Sequence, residues 1–294
     1  MKLKYWILAA RPKTLTGALI PVLVGTSLAL RDGVFQLFPF LCCLLFACGM
    51  QIAANFINDY YDFQKGSDRE DRLGPERACT QGWITPKAML RGIIVTLLLS
   101  ALCGCGLLLR WQSFPYNGLE LIVVGACCIL FAFLYTTYLS YLGFGDALVF
   151  ICFGLIPVCG TYYVQGYQLT TDVFIASIAC GLEIDSLLLV NNYRDREQDA
   201  LSNKHTLIVR FGEPFGRYAY LAVGLCAALL ILTFNPDHKL YIYLAAFFYA
   251  YTHFRTWKKM CTIHSGRALN SILGETSRNM MLYGLLLAAI ILNA

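Results

Sequence analysis

The chain has little charge and few of the residues on which soluble metal chemistry rests. Only 14% of its 294 residues are Asp, Glu, Lys or Arg, against 58% hydrophobic ones, which excludes an ordinary water-facing globular surface. Histidine is scarce: His205, His238, His253 and His264 are scattered, so no catalytic role is expected of any of them. The 13 cysteines include no C-x-x-C pair, and most, such as Cys42, Cys43, Cys103, Cys105, Cys127 and Cys128, lie in apolar runs. That pattern excludes a zinc framework and reads as small packing residues at helix contacts. No basic, aromatic-interleaved segment exists, so nucleic acid is not an expected partner.

What the chain does have is apolar runs of membrane-crossing length. They fall at Leu15–Leu30, Phe35–Ile57, Lys87–Leu109, Gly118–Tyr135, Gly145–Val164, Asp172–Val190, Phe215–Phe234, Leu240–His253 and Leu269–Leu292. With a mean hydropathy of +0.59, they predict an all-α polytopic membrane protein whose single domain fills residues 1–294. The first run starts late and continues without a small-residue cleavage site, so it is expected to be retained. All of the 23 Lys and Arg except Arg31, Arg110 and Lys239 fall on the side of the amino terminus, which predicts that this side faces the cytoplasm.

Two polar clusters end apolar runs on that side. The first is Asn55, Asn58, Asp59 and Asp62, followed by Lys65 and Asp68; the second is Asn191, Asn192, Asp195 and Asp199, followed by Lys204. If each helix continues through its cluster, three- and four-residue spacing gathers the oxygens on one stripe. Hard divalent cations take oxygen ligands and are commonly held by one or two carboxylates together with substrate phosphates. A single such cluster reads equally well as a solvated helix end. Two facing acidic clusters repel unless a cation compensates, which favours a metal-bridged diphosphate. On this reading Asp59, Asp62, Asp68, Asp195 and Asp199 are candidate metal ligands. Asn55, Asn58, Asn192, Lys65, Arg196 and Lys204 are candidate diphosphate contacts. Duplicated halves also suit a cation-coupled transporter, although its acids would more often sit near the bilayer midplane.

The segments Asn58-Asp59-Tyr60-Tyr61-Asp62-Phe63-Gln64-Lys65-Gly66-Ser67-Asp68 and Asn191-Asn192-Tyr193-Arg194-Asp195 through Asp199 resemble the paired aspartate-rich motifs of the UbiA superfamily of intramembrane prenyltransferases. Arg11-Pro12-Lys13-Thr14-Leu15, Gly154 through Val164, Asn191 through Leu207 and Leu269 through Leu286 resemble the branch that acts on 1,4-dihydroxy-2-naphthoate. Hydroxybenzoate members usually carry a lysine four residues after the tyrosine that follows the fourth helix; here Tyr135 is followed by Leu139 at that spacing, which favours the naphthoate branch.

The resemblance implies a nine-helix bundle with cytoplasmic active-site loops and a magnesium-dependent enzyme of menaquinone synthesis in a prokaryotic plasma membrane. It implies polyprenyl diphosphate and 1,4-dihydroxy-2-naphthoate as substrates, with the prenyl tail lying in membrane lipid. Asp59, Asp62, Asp195 and Asp199 are then catalytic through the metal, and Tyr135 is a candidate to face the allylic cation. Homogentisate and 4-hydroxybenzoate are the competing acceptors.

Overall fold

The structure is a computed structural model and describes residues 3–66 and 73–294. Among those residues there is no strand, and helices occupy the region of every apolar run. In chain order they are α1 (Leu3–Ala10), α2 (Thr16–Arg31), α3 (Leu37–Lys65), α4 (Pro86–Leu107), α5 (Leu119–Leu134), α6 (Gly145–Val149), α7 (Ile156–Gly166), α8 (Thr171–Leu201), α9 (Leu207–Ile231), α10 (Leu240–Ile263) and α11 (Leu269–Leu292). Six spans among the described residues are long and apolar enough to cross a membrane, and the bent pair Leu3–Thr14 and Thr16–Arg31 makes a seventh if it counts as one span. The helices α10 and α11 fall below that measure because polar residues occupy half of each, such as Arg255, Lys258 and Lys259 in α10 and Asn270, Glu275 and Arg278 in α11.

Several helices outrun the apolar stretches that predict them. Helix α3 continues to Lys65, α8 to Leu201 and α10 to Ile263, so charged residues ride on rigid helix ends and not on loops. The run at 145–164 is interrupted by a π-helical stretch, Phe150–Leu155, and α9 is kinked where Gly212 takes φ +85° ahead of Pro214.

Helices pack in lipid without a hydrophobic drive between them, so close backbone approach decides which faces meet. A Cβ on Gly154 would lie 2.5 Å from the Cα of Gly181, and one on Gly25 would lie 2.7 Å from the Val158 carbonyl oxygen. These contacts seat α8 against the π-helical stretch and α2 against α7. The main core joins Ile20, Leu28, Val158, Tyr162, Ile184, Tyr249 and Tyr283 from α2, α7, α8, α10 and α11. A second core gathers Phe56, Ile57, Met89 and Ile93 where α3 packs on α4, capped by Ala9 of α1. Leu98, Leu102, Leu229 and Phe247 point outward, as lipid-facing side chains do.

The end of the bundle away from both clusters is pinned by polar contacts. Arg31 bridges Asp32 and Asp172, each at 2.8 Å, and the Tyr162 hydroxyl donates to Asp32 at 2.7 Å. Burial alone would raise the Asp32 carboxyl, but its bonds from Arg31 and Tyr162 outweigh burial and hold it below its ordinary value.

Candidate active site

Helix α3 brings the first cluster to the bundle end and splits it between two faces. Asn55 and Asp59, one turn apart, turn inward. The Asn55 amide donates to the Ala10 carbonyl and to Thr14 Oγ1, both at 2.9 Å, which ties α3 to the bend after α1. Asp59 is 1% exposed, and its two oxygens accept the backbone N–H groups of Ala78 and Cys79 at 2.8 and 2.9 Å. Burial and the adjacent Asp59 carboxylate push the Cys79 thiol up to about 12, so it stays protonated and unreactive.

Asn58 and Asp62, also one turn apart, face a polar cleft instead. Asn58 accepts a hydrogen bond from the Thr136 hydroxyl, and Asp62 pairs with the buried Arg77 at 2.7 Å. Lys65 lies outside the cleft lining: its ammonium donates to the Thr137 carbonyl at 3.0 Å and sits 4.0 Å from the centre of the Tyr141 ring. Asp68 lies outside the described residues.

Helix α8 presents the second cluster as a more coherent face. Asn191, Arg194, Asp195, Gln198 and Asp199 all line the cleft, at the three- and four-residue spacing of one helical stripe. The guanidinium of Arg194, 3% exposed, grips Asp195 with two bonds of 2.6 Å and also donates to Asn191 and to Asn270 of α11, each at 2.8 Å. Asn270 in turn donates to the Leu73 carbonyl at 2.8 Å, joining α11 to the segment that follows the first cluster.

The chain reverses after α8 because Asn203 adopts a left-handed φ of +54°, a conformation that asparagine tolerates. The reversal carries Lys204 back over the helix end, where its ammonium lies 3.3 Å from Asp199 Oδ1. The other oxygen, Asp199 Oδ2, is buried without a hydrogen-bond partner.

Five of the residues expected from sequence therefore sit elsewhere than the cleft. Asn55 and Asp59 are used inside the protein, and Lys65 caps the π-helical stretch Tyr135–Leu139. Arg196 points to the far side of α8, where it stacks 4.6 Å from the Tyr193 ring and meets Glu213 at 3.4 Å. The reason is helical phase: Arg194 and Arg196 are about 200° apart on one helix, and only Arg194 shares the stripe of Asn191 and Gln198. Asn192 lines a small side pocket that opens beside Tyr135 and Lys204.

The cleft has a volume of about 210 Å³ and is closed by Arg11, Pro75, Tyr135, Ser140 and Tyr141 in addition to the two clusters. Sequence reasoning missed Arg77, Arg194 and Asn270 as site residues. The helical phase of Arg194 was a usable signal; nothing local marks Arg77 or Asn270. Arg11 holds a left-handed backbone, φ +50° and ψ +71°, between α1 and the short turn Pro12–Thr14, and Thr14 Oγ1 donates to its carbonyl at 2.9 Å. Strain of this kind in a residue other than glycine persists only where the surroundings fix it, and here it aims the residue at the cleft.

A divalent cation fits this donor set. The lining offers carboxylates from Asp62, Asp195 and Asp199 and amide oxygens from Asn58 and Asn191, all hard ligands, and one of them is the unpartnered Asp199 Oδ2. Among the described residues no three acidic, His or Cys side chains already converge on one point.

The sequence profile of the UbiA prenyltransferase family matches residues 18–273. The 1,4-dihydroxy-2-naphthoate octaprenyltransferase of Escherichia coli (strain K12) is 35% identical over 244 residues, 81% of this chain and 79% of that protein. The protein of the same name from Mycobacterium tuberculosis is 38% identical over 232 residues, 78% of this chain and 76% of that one. In fold, the solved structure of a UbiA homolog from Archaeoglobus fulgidus bound to GPP and Mg2+ matches with a TM-score of 0.65 at 14% identity, across 97% of this chain and 99% of that one.

Proposed function

Because the chain belongs to the UbiA prenyltransferase family, we propose that it transfers a polyprenyl chain from its diphosphate to 1,4-dihydroxy-2-naphthoate, with loss of diphosphate and CO2, in menaquinone synthesis. The observation that carries this reading is the cleft itself. Three carboxylates from two helix ends face Arg11, Arg77, Arg194 and Lys204 around a space of diphosphate-binding character.

Asp62, Asp195 and Asp199, with Asn58 and Asn191, would hold magnesium against the diphosphate. When bound, that ion supplies charge compensation for the departing diphosphate. Arg77 and Arg194 hold Asp62 and Asp195 in place, and Lys204 and Arg11 bind outer phosphate oxygens as negative charge builds there. The ring of Tyr135, which borders both the cleft and the side pocket, faces the allylic carbon and excludes water from it. The naphthoate ring attacks through its carboxyl-bearing carbon, and loss of CO2 restores aromaticity.

The bundle crosses the membrane nine times on this reading, with α2, α10 and α11 completing the six most apolar spans. The cleft then opens to the cytoplasm under the positive-inside rule, at a prokaryotic plasma membrane. The prenyl tail leaves the cleft between helices into lipid.

The test is an assay of the purified chain in lipid with polyprenyl diphosphate and 1,4-dihydroxy-2-naphthoate, with magnesium present or chelated, read by mass spectrometry. A magnesium-dependent prenylated product lacking the carboxyl group supports the reading. Product with 4-hydroxybenzoate or homogentisate alone replaces the acceptor, and substrate accumulation in sealed vesicles without a new covalent product replaces the enzyme by a transporter.

A further inference from the structure

Beneath the cleft lies an acidic pair that the mechanism above does not use. Asp146 opens α6 and lines the side pocket with Tyr135, Asn192 and Lys204. It is 9% exposed, and both of its carboxylate oxygens are buried without a hydrogen-bond partner. Asp185 sits on α8 seven residues before Asn192, hence two turns deeper on the same face. It too is 9% exposed, its Oδ1 is unpartnered, and it lies near enough for the charge of Asp146 to act on it.

An unpaired buried carboxylate costs several kcal/mol in an apolar setting. Acids retained inside membrane spans mark functional sites, and the cation in this pocket's lining, Lys204, is already drawn to Asp199 at 3.3 Å. The side pocket, about 10 Å³, has room for one small polar group, and it shares Tyr135, Ser140 and Lys204 with the diphosphate cleft, so a group reaching into it from the cleft lies beside the reacting carbon. What such a pocket recognises is a hydroxyl donor: the carboxylate accepts the O–H bond, and the ring that carries the hydroxyl lies in the larger cleft against Tyr135.

We propose that Asp146 is the hydroxyl anchor and proton acceptor for the aromatic substrate, with Asp185 as the polar floor beneath it. This rests on the prenyl-transfer reading and deepens it. In the step, a bond forms between the carboxyl-bearing ring carbon and the allylic carbon, whose bond to oxygen breaks with its electron pair leaving on diphosphate. The proton of the adjacent ring hydroxyl moves to Asp146, leaving a ketone beside the carboxylate. Loss of CO2 returns the electron pair of the broken carbon–carbon bond to the ring as an enolate, and Asp146 gives the proton back.

The experiment compares wild type and Asp146→Asn in lipid with magnesium, varying each substrate in turn. It adds the acceptor's methyl ether, blocked at the hydroxyl next to the carboxyl-bearing carbon. The expected result is a fall of about 10²–10⁴-fold in kcat/KM for dihydroxynaphthoate, with the KM for polyprenyl diphosphate within about twofold of wild type. Wild type should also reject the methyl ether, while Asp146→Asn no longer distinguishes it from the parent.

Near-normal turnover by Asp146→Asn, an equal rise in both KM values, or wild-type prenylation of the methyl ether overturns the proposal. If Asp146→Asn does not fold, Asp146→Glu is read instead: a changed KM for dihydroxynaphthoate with an unchanged KM for polyprenyl diphosphate supports the proposal, and equal changes in both overturn it. If wild type forms no product from dihydroxynaphthoate at all, the underlying reading fails and this proposal falls with it. Product from wild type together with an active variant sinks only the role of Asp146.

Discussion

The two acidic clusters are similar as strings of letters and opposite as physical objects. In the first, an acid is buried: Asp59 closes on two backbone amides, and its neighbour Asp62 reaches the cleft only in company with Arg77. In the second, a base is buried: Arg194 is enclosed and spends four hydrogen bonds on holding Asp195, Asn191 and Asn270. The first cluster thus divides its carboxylates between the interior and the cleft. The second devotes its carboxylates to the cleft and assigns architecture to the arginine.

The sharpest way to test that division is to remove one cleft acid from each side. Asp62→Ala and Asp195→Ala are each expected to lower turnover by about 10²–10³-fold while leaving membrane insertion intact, measured by prenylation rate and by the yield of monodisperse protein. Near-normal rates in both would break the metal-bridge reading. Arg194→Lys comes next. A lysine keeps the charge but loses the planar fork that holds Asp195 at two points, so a fall of about 10–100-fold is expected, with a higher magnesium requirement.

Asp59→Asn probes the architectural half. It removes the charged acceptor of two buried amides, and a loss of about 1–3 kcal/mol in stability is expected, read as an earlier thermal transition in detergent. Activity per folded molecule should fall far less than in Asp62→Ala. Equal catalytic losses in the two variants would erase the contrast between them. The smallest effect is expected at Tyr135, where the change to Phe should cost less than the change to Ala if the ring face and not the hydroxyl matters. Equal rates in those two variants would remove the aromatic role.

How far the sequence carried these conclusions follows from the same contrast. The helical class, the apolar runs and the place of both clusters at helix ends are all written in local composition, because burial in lipid imposes a strong and simple pattern. The division of labour within each cluster is not. A helix that carries Asn55, Asn58, Asp59 and Asp62 fans them over more than one face, and the partners that select among them, Ala10, Ala78, Cys79 and Arg77, belong to other segments. Arg196 resembled a phosphate ligand because its neighbours are acidic, yet helical phase sends it to Glu213. Asp146 and Asp185 stood inside apolar runs in plain view, and their meaning emerges only when a pocket brings Asp146 beside Tyr135.

The link from Arg194 through Asn270 to Leu73 also orders the making of the protein. The aspartate contacts of the first cluster close within one hairpin: Asp62 meets Arg77 at 15 residues' distance, and Asp59 meets Ala78 and Cys79 at 19 and 20. They can be satisfied as soon as α3 and α4 have left the ribosome. Arg194 must wait 76 residues for Asn270, which then reaches back 197 residues to Leu73. Helix α11, made after the elements it joins, is therefore the one that locks both halves of the cleft together, and a nascent chain cannot present the finished cleft before α11 is in place.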